Sequence, residues 1–185
     1  MKVKEAIEKR RAYRSLKETK ISEEIIEEIA KAASLAPSCF NKQPWKYVFI
    51  NDNKLLTQIK SLLSKGNEWA RKSSLIIAVF SSEKDDCIIK ERKYHLFDTG
   101  MATAFLILRA TEMGLVAHPI AGFDNQKVKN ILNIPKEYEL IALLILGEKS
   151  PEISDDLSDW QKEAELKRPE RKDLKEFAFI NKFNP

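Results

Sequence analysis

The chain predicts a single domain of mixed helix and strand, and three observations carry that reading. Its 185 residues supply one substantial core but crowd two. Segments with apolar residues at helical spacing alternate with short runs of β-branched and aromatic residues. Hydrophobic residues make up 43% of the chain, with three Trp and nine Phe, enough apolar surface to exclude disorder.

Val3 to Lys9 reads as a short helix running into Arg10-Arg11-Ala12-Tyr13-Arg14. Ser22 is placed to cap a second helix, with Glu23 and Glu24 in its first turn, where the helix dipole favours acids. Ile25, Ile26, Ile29, Ala30 and Ala33 give that helix its apolar face, and it ends near Leu35. The stretch Pro37-Ser38-Cys39-Phe40-Asn41-Lys42-Gln43-Pro44 is a fixed polar loop, because two prolines flanking Ser, Asn and Gln extend neither helix nor strand. Trp45 to Ile50 is a strand. Lys54 to Ser64 is amphipathic, with Leu55, Ile59, Leu62 and Leu63 on one face, and Gly66-Asn67 closes it.

Ser74 to Ser81 is a compact apolar strand, followed by a polar and weakly patterned stretch over 82–93. His95 to Met113 is the most hydrophobic helix, apolar nearly all round, which places it at the centre of the core or at a subunit interface. Gly100, Ala102 and Ala104 permit close approach of another helix or a flat ligand, and Gly114 ends the helix. Leu115 to Phe123 is a strand and loop, Asp124 caps a short helix to Leu132, and Tyr138 to Gly147 is a buried strand. From Pro151 the chain is polar until Leu174, Phe177, Phe179, Ile180 and Phe183. A polar arm with an aromatic tip calls for another surface to cover it.

The net charge of +4 comes from 32 basic and 28 acidic residues. That excess favours anionic ligands but is too even to make nucleic acid the main partner. The opening MKVKEAIEKRRAYRS has no apolar core of the signal-peptide kind, and the longest apolar runs are too short to span a membrane. Cys39 and Cys87, without CxxC spacing, argue against a disulfide framework or a zinc site. The expectation is a cytoplasmic protein without a membrane partner.

Arg10, Arg11 and Arg14 fall within five positions at a helix end, and Arg is the natural bidentate partner of phosphate. A second basic group, Lys167, Arg168, Arg171 and Lys172, lies near the other end of the chain; whether the two groups meet is open at this level. There is no GxxxxGK[ST] loop and no GxGxxG after a strand, and with five glycines in all phosphate binding must rest on arginines. His95 and His118 have no Ser or Cys partner at recognisable spacing, and His118 suits a structural or rim position. No carboxylate pair stands out, and Cys39 reads better as a small packed residue than as a reactive thiol. With no catalytic side chain or metal expected, the pattern fits a cofactor that brings its own chemistry.

Taken in order, RRAYRSL (10–16), APSCFNKQPW (36–45), Gly66-Asn67 before an apolar strand, DTGMA (98–102), GLVAHPIAGFD (114–124) and RPERKDL (168–174) resemble the nitroreductase family of flavoproteins over nearly the whole chain. The resemblance implies an α+β fold, a three-layer α/β/α sandwich forming one FMN-binding domain over 1–185. Residues 151–185 would be a C-terminal arm packing on the partner subunit of an intertwined homodimer with two FMN sites at the interface.

By the same resemblance Arg10, flanked by Arg11 and Ala12, matches the phosphate-binding arginine, and Arg14 the cation near the flavin N1–O2 edge. Pro37, Ser38, Asn41 and Gln43 belong to a loop expected to reach the flavin of the other subunit. Asn67 matches an amide reading the flavin edge. Pro119, Ile120, Ala121 and Gly122 should lie along one face of the ring, and Arg171 should clamp the phosphate with Lys172 or Arg168. The implied activity is ping-pong electron transfer from NADH or NADPH to a nitroaromatic, quinone or similar small acceptor.

Three departures stand out. Ala12 replaces a frequent Ser, and Ala121 replaces a Glu found in some members. The stretch from Phe80 to His95 lacks a long helical insertion, so an open pocket is expected. The change at Ala121 favours an alternative, a non-catalytic FMN-binding or redox-sensing protein.

Overall fold

A computed structural model describes residues 1–184; Pro185, the last residue of the expected arm, lies outside the described residues. The elements in chain order are α1 (Val3–Lys9), β1 (Leu16–Lys17), α2 (Glu23–Ser34), β2 (Lys46–Ile50), α3 (Asn53–Lys60), β3 (Leu75–Ser81), β4 (Ile88–Ile89), β5 (Arg92–Lys93), α4 (His95–Glu112), β6 (Leu115–Ile120), α5 (Asn125–Ile131), β7 (Glu139–Lys149) and α6 (Asp159–Leu166).

The long strand β7 organises the sheet. β3 pairs along it with Leu75 opposite Leu146 and Ile77 opposite Leu144. β6 also pairs with it, with Val116 opposite Gly147 and Ile120 opposite Leu143. β2 extends the sheet from β3, and β1 joins the end of β7 through Leu16 and Lys149. All of these pairings are antiparallel.

β3 is buried at every position, and its pleat sends alternate side chains into two cores. Ile76, Ala78 and Phe80 pack with Leu56, Ile59, Trp69 and Val128, under α3 and α5. Leu75, Ile77 and Val79 pack with Ile29, Ala33, Ala102, Leu106 and Ala110, under α2 and α4. Helices on both faces of one sheet make three layers, the expected architecture. They also explain why this strand reads as a continuous apolar run instead of an alternation.

The expected caps form. The Ser22 hydroxyl accepts from the Ile25 N–H at 3.4 Å, and Asp124 Oδ1 accepts from the Lys127 N–H at 3.1 Å. Gly114, at φ +86°, takes the left-handed turn that ends α4. α4 buries Ala102, Leu106 and Ala110 against the sheet but leaves Leu96, Phe97 and Phe105 exposed.

The helix expected over 54–64 starts one residue earlier and stops at Lys60. Asp52 caps it by accepting from the Leu55 N–H at 2.8 Å. Leu62 and Leu63 leave the helix because their backbone pairs elsewhere: the Leu62 carbonyl accepts from the Asp124 N–H at 2.9 Å, and Leu63 bridges Phe123. The polar stretch over 82–93 contains the small hairpin β4–β5. The arm after Pro151 carries α6, which its polar composition hid. Among the described residues no helix is long and apolar enough to cross a membrane.

Leu106 is fully buried between α4 and the sheet. Leu106→Ala should therefore destabilise the fold by about 2–5 kcal/mol, the cost of lost transfer energy plus a residual cavity. Urea denaturation measures it, and a loss below about 1 kcal/mol would mean that this face of α4 is not the packed interior.

Candidate functional site

The two basic clusters meet. The end of α1, the 10–14 segment, α6 and the 167–171 segment enclose a cleft of about 500 Å³ lined by Arg10, Arg11, Ala12, Arg14, Trp160 and Arg171 among others. Each cluster closes the other's helix. Arg168 Nη2 donates to the Glu8 carbonyl at 2.6 Å and the Arg10 carbonyl at 2.9 Å, at the end of α1. Arg11 Nη2 donates to the carbonyls of Ala164 at 2.5 Å and Glu165 at 3.3 Å, at the end of α6. Cations at helix C-termini satisfy orphan carbonyls and complement the dipole.

Between them the buried Glu165 carboxylate accepts from the backbone N–H groups of Arg14 at 2.7 Å and Ser15 at 3.2 Å. This pins the basic segment to α6. The Arg14 guanidinium lies 4.8 Å over the Trp160 ring. Burial lowers its proton affinity and Glu165 opposes that shift. Arg10 is lowered first by burial and then by the charges of Arg168 and Arg171. Three guanidiniums held together against their mutual repulsion concentrate positive charge in the cleft.

A second group of the expected residues lies at the end of β6, outside the lining of that cleft. Leu115 to His118 and Ile120 are buried, and only Pro119 and the following Ala121 are exposed at this end of the strand. The Gly122 carbonyl accepts from Asn67 Nδ2 at 3.0 Å and from the Ser64 N–H at 2.9 Å. A Cβ at Gly122 would lie 2.5 Å from Asn67 Nδ2 and 3.3 Å from Ser64 Cβ, so any larger residue would have to displace the Asn67 amide from its bond to the Gly122 carbonyl. Gln161 Nε2 donates to the Gly66 carbonyl at 2.9 Å, tying the same turn to α6.

His118 links β6 to the basic segment. Its Nδ1 lies 3.1 Å from the Tyr13 carbonyl, and its ring stacks on Trp69 at 4.6 Å with a 28° tilt. Burial, with lesser contributions from Arg14 and Arg10, pushes its pKa down to about 4, although the Tyr13 contact opposes the shift. The imidazole is therefore neutral at physiological pH and has a structural part.

The 37–43 loop stands elsewhere. The Cys39 N–H donates to Asp98 Oδ2 at 2.6 Å, which seats the loop on the first turn of α4. Inside it, the Gln43 N–H donates to the Ser38 hydroxyl at 3.0 Å, and Gln43 Nε2 donates to Asn41 Oδ1 at 3.2 Å. Phe40, Asn41 and Gln43 all have positive φ (48°, 58° and 50°), an unusual run for residues other than glycine. Phe40 is left 84% exposed.

Of the residues expected to form the site, the structure thus gathers Arg10, Arg11, Ala12, Arg14 and Arg171 in one cleft. Asn67 touches Gly122 at the end of β6, beyond Pro119, Ile120 and Ala121. Pro37, Ser38, Asn41 and Gln43 sit apart, and exposed Lys172 is outside the cleft lining. Trp160, Gln161 and Glu165 went unread in the sequence. The available signal was Ser158 three residues before Gln161, a capping pair in which the Ser158 N–H donates to Gln161 Oε1 at 3.0 Å.

A family model described as Nitroreductase family matches residues 7–148. A crystal structure of an oxidoreductase containing FMN is 27% identical with a TM-score of 0.85, covering 97% of this chain and 91% of its own. A nitroreductase family protein from Clostridium novyi NT is 27% identical with a TM-score of 0.75, covering 82% of this chain and 87% of its own. An NADH dehydrogenase of Thermus thermophilus is 24% identical over 175 residues, 78% of this chain and 85% of that protein.

The neutral His118 makes stability depend on pH. Its folded pKa, about 4, lies below the ordinary 6.5, so on acidification the unfolded chain takes up this proton first. The contribution is complete above about pH 6.5 and is lost as the pH falls toward 4. It amounts to about 3 kcal/mol at most. His118→Asn should flatten the fall in unfolding free energy across that window in denaturation at constant ionic strength. An unchanged slope would show that His118 is protonated in the folded protein.

Proposed function

The chain belongs to the nitroreductase family, and from that premise we propose that it is an FMN-dependent homodimeric oxidoreductase that passes electrons from NADH or NADPH to a nitroaromatic, quinone or similar small acceptor. The observation that carries the reading is the meeting of Arg10, Arg14 and Arg171 in one cleft, whose helix α6 is tied through Gln161 to the turn bearing Asn67.

These residues fit a group with a terminal phosphate and a flat polar ring. Arg10, whose charged neighbours Arg168 and Arg171 are both repulsive, gains most from a phosphate, which relieves that repulsion. Pro119 and Ala121 offer an exposed face without a charged side chain, and Gly122 brings backbone close to it. FMN, when bound, supplies the two-electron chemistry. Arg14 places a positive charge where reduction builds negative charge, an electrostatic contribution that needs no proton transfer from the protein. Between Phe80 and His95 the short β4–β5 hairpin stands in place of a long helical insertion; with an open pocket donor and acceptor occupy one slot in turn and no separate nucleotide-binding fold is required.

Exposed apolar groups support the dimer. Phe97 and Phe105 on α4, and Phe177, Ile180 and Phe183 on the arm, are 63%, 41%, 59%, 89% and 78% exposed, more apolar surface than a monomer keeps in water. A second copy covers them and brings the Ser38–Asn41 loop of each subunit to the other's cleft. Ala121 favours the alternative of a non-catalytic FMN-binding or redox-sensing protein. Bound FMN that stays oxidised under excess NADH and NADPH would establish that alternative.

The protein should purify yellow, as a dimer with releasable FMN; a colourless monomer that does not take up added FMN refutes the reading. Arg10→Ala should weaken FMN binding by about 1.5–3 kcal/mol, the range for a charge-assisted contact, in a fluorescence titration with the fold intact. Arg14→Gln should lower the bound-flavin midpoint potential and slow reduction by NAD(P)H. Potentiometry equal to the unmodified protein would remove Arg14 from the ring.

A further inference from the structure

Cys39 and Cys87, far apart in sequence, come together in the fold. Cys39 lies in the 37–43 loop and Cys87 in the segment that precedes β4. The thiols of the two and the carboxylate of Asp86 place one ligating atom each within 4.8 Å of the others. Neither cysteine is in a disulfide, and both are partly buried. The sequence spacing that argued against a metal site says nothing about this, because the ligands come from two loops closed over the start of α4.

The carboxylates around the pair are underserved. Asp86 Oδ1 accepts from the Cys87 N–H at 2.7 Å, while Asp86 Oδ2 is buried with no hydrogen-bond partner. Asp98, only 2% exposed, accepts the Cys39 N–H and faces the Asp86 side chain. Asp86 and Asp98 face each other as like charges, offset only in part by His95 near Asp86 and Lys42 near Cys87, and one buried Asp86 oxygen has no partner. A cation supplies what is missing. A disulfide between the cysteines would not, since it leaves the Asp86 oxygen as it is.

We propose that Cys39, Asp86 and Cys87 form a binding site for a thiophilic divalent cation of the zinc type. Two sulfurs and one oxygen select such an ion over calcium or magnesium, which take oxygen ligands. Tetrahedral zinc with Zn–S bonds of about 2.3 Å separates its sulfur ligands by roughly 3.8 Å, so the loops need close by no more than about an ångström. A fourth position remains for water or the neighbouring Asp98. The ion would lock the loop bearing Ser38 and Asn41 to the β4–β5 hairpin and the first turn of α4. The site stands on these residues alone and does not depend on the proposed FMN chemistry.

The test is a titration of the reduced full-length protein with Co²⁺ under anaerobic conditions. One equivalent should bind with a thiolate-to-cobalt charge-transfer absorption, and Zn²⁺ should displace it. Cys39→Ser and Cys87→Ser should each greatly diminish that absorption, and Asp86→Asn should weaken the affinity roughly tenfold or more, with circular dichroism unchanged. The proposal is overturned if no charge-transfer band appears. It is equally overturned if the band survives both cysteine substitutions, or if the pair oxidises to a disulfide in air while the reduced protein takes up no cobalt.

Discussion

The buried carboxylate of Glu165 accepts two backbone N–H groups, from Arg14 and Ser15, and the geometry of the cleft follows from that contact. The 10–14 segment has no strand or helix of its own to satisfy its amides. Without Glu165 those donors would be left unpaired under α6, at a cost of about 1–3 kcal/mol each. The carboxylate in turn tolerates burial because it is hydrogen-bonded and lies close to Arg14. Arg11 and Arg168 complete the clasp by donating to the last carbonyls of α6 and α1. Positive charge is thereby concentrated in the cleft by bonds that serve the backbone.

The sheet makes this arrangement rigid. β7 holds β3 and β6, and β3 is packed on both faces, so β6 cannot shift without disturbing two cores. Rigidity matters at Gly122, where the Asn67 amide sits where a side chain would otherwise be. His118 transmits the position of the sheet to the basic segment through Tyr13 and to the core through Trp69. It holds that place as a neutral ring because burial and the nearby arginines disfavour its charge.

Much of the fold was legible locally. Ser22 and Asp124 announced their helices because a capping side chain acts within three residues, and Gly114 announced the end of α4 because it supplies the left-handed turn. β3 was legible because burial on both faces leaves an unbroken apolar run. α6 was not, because its buried positions are filled by Gln161 and Glu165, and a hydrophobic period cannot register a helix whose inward residues are polar. The early end of α3 was hidden for a related reason: Leu62 and Leu63 continue the apolar pattern, but their backbone pairs with Phe123 and Asp124.

The sequence by itself determined which residue types are on offer for a site: arginines suited to an anion in a glycine-poor chain, an amide at position 67 and a glycine at position 122. It determined this because residue type sets charge, hydrogen-bonding capacity and permitted backbone angles. Only the tertiary structure decided that Arg10 and Arg171 share one cleft, and that Cys39 and Cys87 meet beside Asp86. Only it decided that the Ser38–Asn41 loop is seated on α4 through Asp98. Such meetings join residues distant along the chain, and they follow from how helices and strands pack, which no local pattern encodes.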